Sequence, residues 1–296
     1  MKKVHCLELG GTLFIPASHK KLSAIVSGKK YKQLRSLVID FEDGLEEDAL
    51  HVGVQNLKSV LAQESLNGPL VFVRAKNVEH LKSLLVFENT EKITGFVLAK
   101  FSLTNAEEYL QALQDTKYLI MPSIEGEELF NHQRLHTLKE IILTNKERVL
   151  LVRFGLEDML RQLGMRRSCE HSLFDYSVTA SVIGNFIATF KSAGFGVSGG
   201  VYPCFNNGDG FIRDVQRDMH EGLTSKTIIH PNQIEPINEL YKITKKELDE
   251  AKEILQREQK VFNQDGKMAE TLTMSRYSEE ILKHAEIYGC SDSKEN

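Results

Sequence analysis

The chain has 296 residues, 41% of them hydrophobic, enough to fill the core of one large α/β domain or two small ones. Its net charge of -4 gives no basic excess of the kind that marks a nucleic-acid binder, and no apolar run approaches the length of a membrane span. Glu8 sits inside what would be a signal peptide's apolar region, so a cytoplasmic protein is expected. The four cysteines, Cys6, Cys169, Cys204 and Cys290, lie far apart without a Cys-x-x-Cys, which argues for reduced thiols and against zinc or a disulfide framework.

In chain order, Thr12 to Pro16 reads as a short strand, and Ser18 as a cap for a helix from Lys20 to Val26. Ser36 to Asp40 is a buried apolar strand that runs into Glu42, Asp43 and Gly44. Leu70 to Arg74 is the third strand, Gly95 to Lys100 the fourth and Tyr118 to Glu125 the fifth. The sixth runs from Arg148 to Phe154 and stops at Gly155, just before Glu157 and Asp158. Gly199 to Pro203 and Lys226 to Pro231 read as the seventh and eighth. Amphipathic helical patterns lie between them, at Glu46 to Ala62, Ala106 to Leu113, Glu127 to Leu143, Phe174 to Phe190 and Phe211 to His220.

About eight short strands alternating with helices is the pattern of a (β/α)8 TIM barrel. The rival, a doubly wound sheet, calls for a Gly-x-Gly-x-x-Gly turn after an early strand, and Gly10-Gly11 precedes its strand instead. A barrel is therefore expected over residues 1–235. Helical stretches at Lys245 to Phe262 and Ser275 to Ala285 exceed what eight βα units need. Residues 236–290 thus read as a helical extension packing on a neighbouring subunit, and residues 291–296 as a frayed tail.

The strand ends carry the chemistry. Asp40 with Glu42 and Asp43, then Arg74, Lys100, Glu125 and Asp158, all fall where barrel loops converge on one mouth. Carboxylates without accompanying His or Cys suit a hard, oxygen-preferring ion such as Mg2+, and arginine suits an anionic substrate group. Asp158 has a second reading of equal weight, as a first-turn acid that only complements a helix dipole. His132 and His136 read as surface residues, and His230 either as a mouth residue or as part of a His-Pro turn.

At this point the sequence resembles the citrate lyase β-subunit-like family, the CoA-ester lyases within the HpcH/HpaI aldolase group. Leu13-Phe14-Ile15-Pro16-Ala17-Ser18 is similar to the family's Leu-Phe-Val-Pro-Gly-Ser, and Ile39-Asp40-Phe41-Glu42-Asp43 to its Leu-Asp-Leu-Glu-Asp. Val97-Leu98-Ala99-Lys100 resembles Val-Leu-Pro-Lys, and Ile229-His230-Pro231-Asn232-Gln233-Ile234 resembles Ile-His-Pro-Ser-Gln-Ile. Ile120 to Glu125 and Phe154 to Asp158 match the segments that carry the family's two metal carboxylates.

The resemblance implies a Mg2+-dependent lyase, a homo-oligomer (trimer or hexamer), that cleaves or forms a C-C bond in a β-hydroxyacyl-CoA such as citryl-CoA or malyl-CoA. An acyl-carrier-protein thioester is an alternative substrate, while no nucleic acid and no membrane partner is expected. By the same resemblance Glu125 and Asp158 hold the metal. Arg74 faces the enolate and substrate oxygens, Asp43 and Lys100 join the catalysis, and Asp40, Glu42 and Ser18 support substrate binding.

Three departures stand out: Ala17-Ser18-His19 where Gly-Ser-Arg is usual, Ala75-Lys76-Asn77 after Arg74, and Glu270 in place of a catalytic aspartate. Glu270 is expected to serve in trans as the acid/base. Two other readings remain: an aldolase for free 2-oxo-4-hydroxy acids, and a non-catalytic relative that binds a metabolite.

Overall fold

Short runs rich in apolar residues form strands largely buried on both faces when helices cover the outside of a parallel sheet. A computed structural model of the chain, describing residues 4–291, shows eight such strands. They are β1 (Gly11–Pro16), β2 (Ser36–Asp40), β3 (Leu70–Arg74), β4 (Gly95–Leu98), β5 (Leu119–Ile124), β6 (Val152–Phe154), β7 (Val197–Gly199) and β8 (Ser225–Ile228). All pair in parallel with their sequence neighbours, and β8 returns to β1, closing the barrel.

Leu9, Val38, Phe72, Val97, Met121 and Leu151 form an apolar cluster within the barrel unit. Burying each such side chain contributes on the order of 1.5–3 kcal/mol. Polar side chains are also buried on the barrel strands. Ser36 Oγ donates to the Leu9 carbonyl at 2.7 Å and lies in hydrogen-bond contact with Thr12 Oγ1 at 2.9 Å, and Ser225 Oγ donates to the Gly10 carbonyl at 2.8 Å. The Ser36 contacts tie the second strand to the first and its lead-in turn, and the Ser225 bond reaches from the eighth strand to the residue before the first, at the seam of closure.

Several boundaries differ from the sequence expectation. The seventh strand is Val197–Gly199, and Gly199-Gly200 ends it rather than starting it. A Cβ at Gly199 would stand 2.0 Å from Asp218 Oδ2, so the strand and the helix Gly208–His220 approach too closely for any other residue. The eighth strand ends at Ile228, and His230 caps a 3-10 turn by accepting from Asn232 N at 3.2 Å, the His-Pro turn of the two readings. The regular sixth strand begins only at Val152, with one isolated bridge, Ile120 to Val149, before it. Glu127 to Leu143 breaks at Asn131, whose side chain caps the helix His132–Leu143 by accepting from Arg134 N at 3.0 Å. Ser18 makes no cap. The helix there is Leu22–Val26, and His19 Nδ1 accepts from Lys21 N at 3.2 Å instead.

The expectation of reduced thiols fails at one pair. Cys169 and Cys204 form a disulfide with Cα atoms 6.0 Å apart. They are 35 residues apart in sequence, but the loop after β7 returns beside the segment that carries Cys169. There the Tyr202 hydroxyl donates to the Cys169 carbonyl at 3.0 Å. Spacing alone could not reveal a meeting made by tertiary structure.

The chain divides into two compact units, Met1–Ile234 and Glu235–Asn296. The second unit contains β9 (Ile243–Thr244), the helix Lys245–Gln256, a hairpin of β10 (Val261–Gln264) and β11 (Lys267–Glu270), the helix Thr271–Tyr288, and β12 (Cys290–Ser291). Its two small cores are Ile243, Ala251 and Ile281, and Ile254, Phe262 and Ala269. The single helix expected from Lys245 to Phe262 stops at Gln256 because Phe262 enters the hairpin, turning at Asp265-Gly266, both with positive φ. Of the expected frayed tail, Ser291 pairs in β12 beside β9, and the rest lies outside the described residues.

Candidate active site

The parallel register sets Asp40 at the end of β2 directly beside Arg74 at the end of β3. The Arg74 guanidinium forks onto the carboxylate, Nε at 2.6 Å from one oxygen and Nη2 at 2.7 Å from the other. The same two oxygens accept the backbone N–H groups of Glu42 at 3.0 Å and Gly44 at 3.2 Å. A Cβ at Gly44 would lie 2.7 Å from Asp40 Oδ2, so glycine lets the backbone close over the carboxylate. Arg74 Nη1 stands 2.9 Å from Glu42 Oε2 and 3.6 Å from Asp43 Oδ2.

Lys100 contacts Glu42 directly and lies 3.3 Å from Asp43. It holds a left-handed backbone, φ 49°, a conformation costly for a residue with a Cβ. Asn105 Nδ2 donates to its carbonyl at 2.9 Å and supports that turn. The acids of Ile39 to Asp43 are thus neutralised from β3 and from the end of β4.

Glu125 follows β5 and is buried. Ser123 Oγ donates to its Oε1 at 2.6 Å, while Oε2 is buried with no hydrogen-bond partner. Burial raises the Glu125 pKa to about 7; the Ser123 hydrogen bond and Arg74 oppose the rise, and the negative charges of Glu42 and Asp158 add to it. Gly155 permits this placement, because a Cβ there would stand 2.1 Å from Glu125 Cγ. Gln162 Nε2 holds the segment by donating to the Glu125 carbonyl at 2.7 Å.

Asp158 lies in the first turn of the helix Leu156–Gln162, contacts Arg161 closely, and lines the same cavity as Glu125. The first-turn position of the helix-dipole reading is thus observed, and the same carboxylate borders the cavity. One carboxylate oxygen from each of Asp43, Glu125 and Asp158 falls within 4.8 Å of the others. Three carboxylates so close repel unless a cation joins them. The orphaned Glu125 Oε2 and the all-oxygen donor set fit a hard divalent ion. Asp43, assigned to catalysis on the sequence, joins the two expected metal carboxylates.

Asp43, Glu125 and Asp158 border a cavity of about 440 Å3, with Arg74, Arg153 and Thr227 also in its wall. The pKa of Glu42 is raised by burial and by Asp43 beside it. That of Asp43 is lowered: burial opposes, but the hydrogen bond with Glu42 and the charges of Arg74 and Lys100 outweigh it. Ser18 is half-buried on the loop after β1 and is not among the lining residues. His132 and His136 are exposed, as surface residues should be. Glu270 ends β11 in the second unit, half-buried and without a side-chain capping bond to the helix that follows. Arg153, a lone charge inside an apolar run, escaped the sequence reading, as did Ser123.

The chain has relatives among known proteins. It is 27% identical over 150 residues to the citrate lyase subunit beta of Escherichia coli (strain K12), a match covering 48% of this chain and 48% of that protein. The chain thus spans about half the length of the curated relatives it matches. Among solved structures it superposes on a citrate lyase from Burkholderia xenovorans LB400 with a TM-score of 0.74 at 18% identity, covering 97% of this chain and 94% of that one. It also superposes on CitE from Mycobacterium tuberculosis in complex with magnesium, acetoacetate and coenzyme A, with a TM-score of 0.68 at 17% identity, covering 94% and 98%. Among the described residues no helix is long and apolar enough to cross a membrane. The model of the family described as C-C_Bond_Lyase of the TIM-Barrel fold matches residues 3–290, so this chain belongs to that family of carbon-carbon lyases.

Proposed function

We propose that the chain cleaves a β-hydroxyacyl-CoA such as citryl-CoA or malyl-CoA between its α and β carbons, with Mg2+ held by Asp43, Glu125 and Asp158. The observation that carries this reading is the convergence of those carboxylates on one cavity whose wall also holds two arginines. The citrate lyase and CitE relatives, one of them crystallised with magnesium and coenzyme A, support it. When bound, the cation would supply positive charge to the carboxylate and β-oxygen of the keto-acid half.

The rest falls to side chains. A base takes the β-hydroxyl proton and the α–β bond breaks. Its electron pair moves onto the α carbon, leaving a thioester enolate, and the proton returns to that carbon. Arg74, fixed by Asp40 and therefore preorganised, would present its remaining N–H groups to the enolate oxygen. Lys100 would hold Glu42 and Asp43 in place. Glu270 from a neighbouring copy is proposed as the acid/base, its hairpin and following helix exposing Val261, Met268 and Leu272 as a surface for that copy.

The test is thioester cleavage by the purified protein on citryl-CoA and malyl-CoA, with Mg2+ and then with EDTA. Cleavage that stops with EDTA and returns with Mg2+ is expected; cleavage indifferent to EDTA would remove the metal from the reading.

A further inference from the structure

Charge balance at the cavity is incomplete at one residue. Arg153 lies on β6, in register with Ser123 of β5 and Ser198 of β7. It is 2% exposed and lines the cavity that holds Glu125 and Asp158. Three other cations with buried or largely buried side chains each contact a carboxylate: Arg74 on Asp40, Arg167 on Asp214, and Lys226 on Asp214 and Asp218. Arg153 has no carboxylate within 4.0 Å among the described residues. Its Nη2 donates to Thr227 Oγ1 at 2.7 Å, its Nη1 reaches only Met121 Sδ at 3.7 Å, and its guanidinium carbon lies 4.9 Å from the centre of the Phe14 ring.

An unpaired buried cation is costly, and here the like charge of Arg74 adds to the burial. That cost is relieved by an anion entering the cavity. Arg74 cannot take that part as readily, since its fork is filled by Asp40. We propose that Arg153 binds a second carboxylate of the substrate, one not engaged by the cation at Asp43, Glu125 and Asp158, and so selects dicarboxylic over monocarboxylic keto acids. A planar carboxylate matches the guanidinium fork, and a single negative charge suits a cavity already bordered by acids. This inference rests on the cavity's being the substrate site, as proposed above.

The test compares oxaloacetate and pyruvate, which share the 2-oxo acid head and differ by one carboxylate. Binding of each is measured by titration calorimetry to the Mg2+-loaded protein. The wild type is expected to bind oxaloacetate at least 10-fold more tightly. Arg153→Met should weaken oxaloacetate by about 10- to 100-fold, the effect of losing a hydrogen bond to a charged group. Pyruvate and Mg2+ affinities should not move, and Arg153→Lys should restore part of the preference.

Thr227→Val, a milder change that frees the guanidinium, should lower the oxaloacetate preference a few-fold without touching pyruvate binding. Equal affinity of the wild type for both acids would overturn the assignment while leaving the substrate site intact. Binding of neither acid would overturn the site as well. A parallel loss of both acids in Arg153→Met and in Thr227→Val would reduce Arg153 to a structural stack on Phe14.

Discussion

Asp40 is the residue on which the order of the mouth most depends, and Asp40→Ala measures that dependence. Its carboxylate takes the bidentate fork of Arg74 and two backbone N–H groups, and its side chain is 5% exposed. Removing it strands a guanidinium whose own exposure is 12%. Breaking a buried pair on one side costs about 3–5 kcal/mol. The lower end applies, because Glu42 at 2.9 Å and Asp43 at 3.6 Å still face Arg74. With a urea slope of about 3 kcal/mol/M, a loss of about 3 kcal/mol lowers the midpoint by about 1 M.

The assay is urea unfolding followed by circular dichroism, on the metal-free protein so that ligation does not enter. Asp40→Leu combined with Arg74→Met should recover much of the loss, since both charges leave together and Glu42 keeps Lys100. A midpoint within about 0.3 M of wild type for Asp40→Ala would refute the reasoning.

Stability should also fall with pH in the metal-free protein, through Glu125. Its ordinary pKa of 4.5 is raised to about 7 by burial. Below 4.5 both folded and unfolded chains hold the proton, and between 4.5 and 7 only the folded chain does, so stability declines across that window by about 3 kcal/mol and stays low above it. Urea midpoints for the wild type and Glu125→Gln at pH 5 and pH 8 check this; an equal pH dependence in both would contradict it. Gly155→Ala drives a methyl into Glu125 Cγ and should cost about 1–3 kcal/mol while weakening Mg2+ binding, read by melting and calorimetry. Glu270→Ala should lower kcat by about 10²- to 10⁴-fold with Mg2+ affinity unchanged, and a wild-type rate would end its proposed role.

How much could be read from the sequence depended on which physical signal each residue carried. The barrel was legible because apolar runs such as Leu70–Arg74 and Leu119–Ile124 are buried along most of their length and end in, or run straight into, a charge. Asp40, Arg74, Glu125 and Asp158 stood out because they fall at strand ends, where a barrel gathers its chemistry. Boundaries failed where glycines serve close packing rather than turning, as at Gly199 against Asp218. The Cys169–Cys204 pair depends on two loops meeting, which spacing does not encode. Arg153 was hidden for a different reason. A single charge in Val149 to Phe154 resembles a strand edge pointing to solvent, and only the closed barrel turns it toward the cavity.

The central claim is that a cation held by Asp43, Glu125 and Asp158 serves carbon-carbon bond cleavage in a thioester. The most direct measurement follows free CoA-thioester products by mass spectrometry when citryl-CoA and malyl-CoA are incubated with the wild type and with Asp158→Asn, each with and without Mg2+. Cleavage by the wild type with Mg2+ alone, and none by Asp158→Asn in either condition, is the expected result. Equal cleavage by Asp158→Asn, or cleavage by the wild type that persists in EDTA, would contradict it.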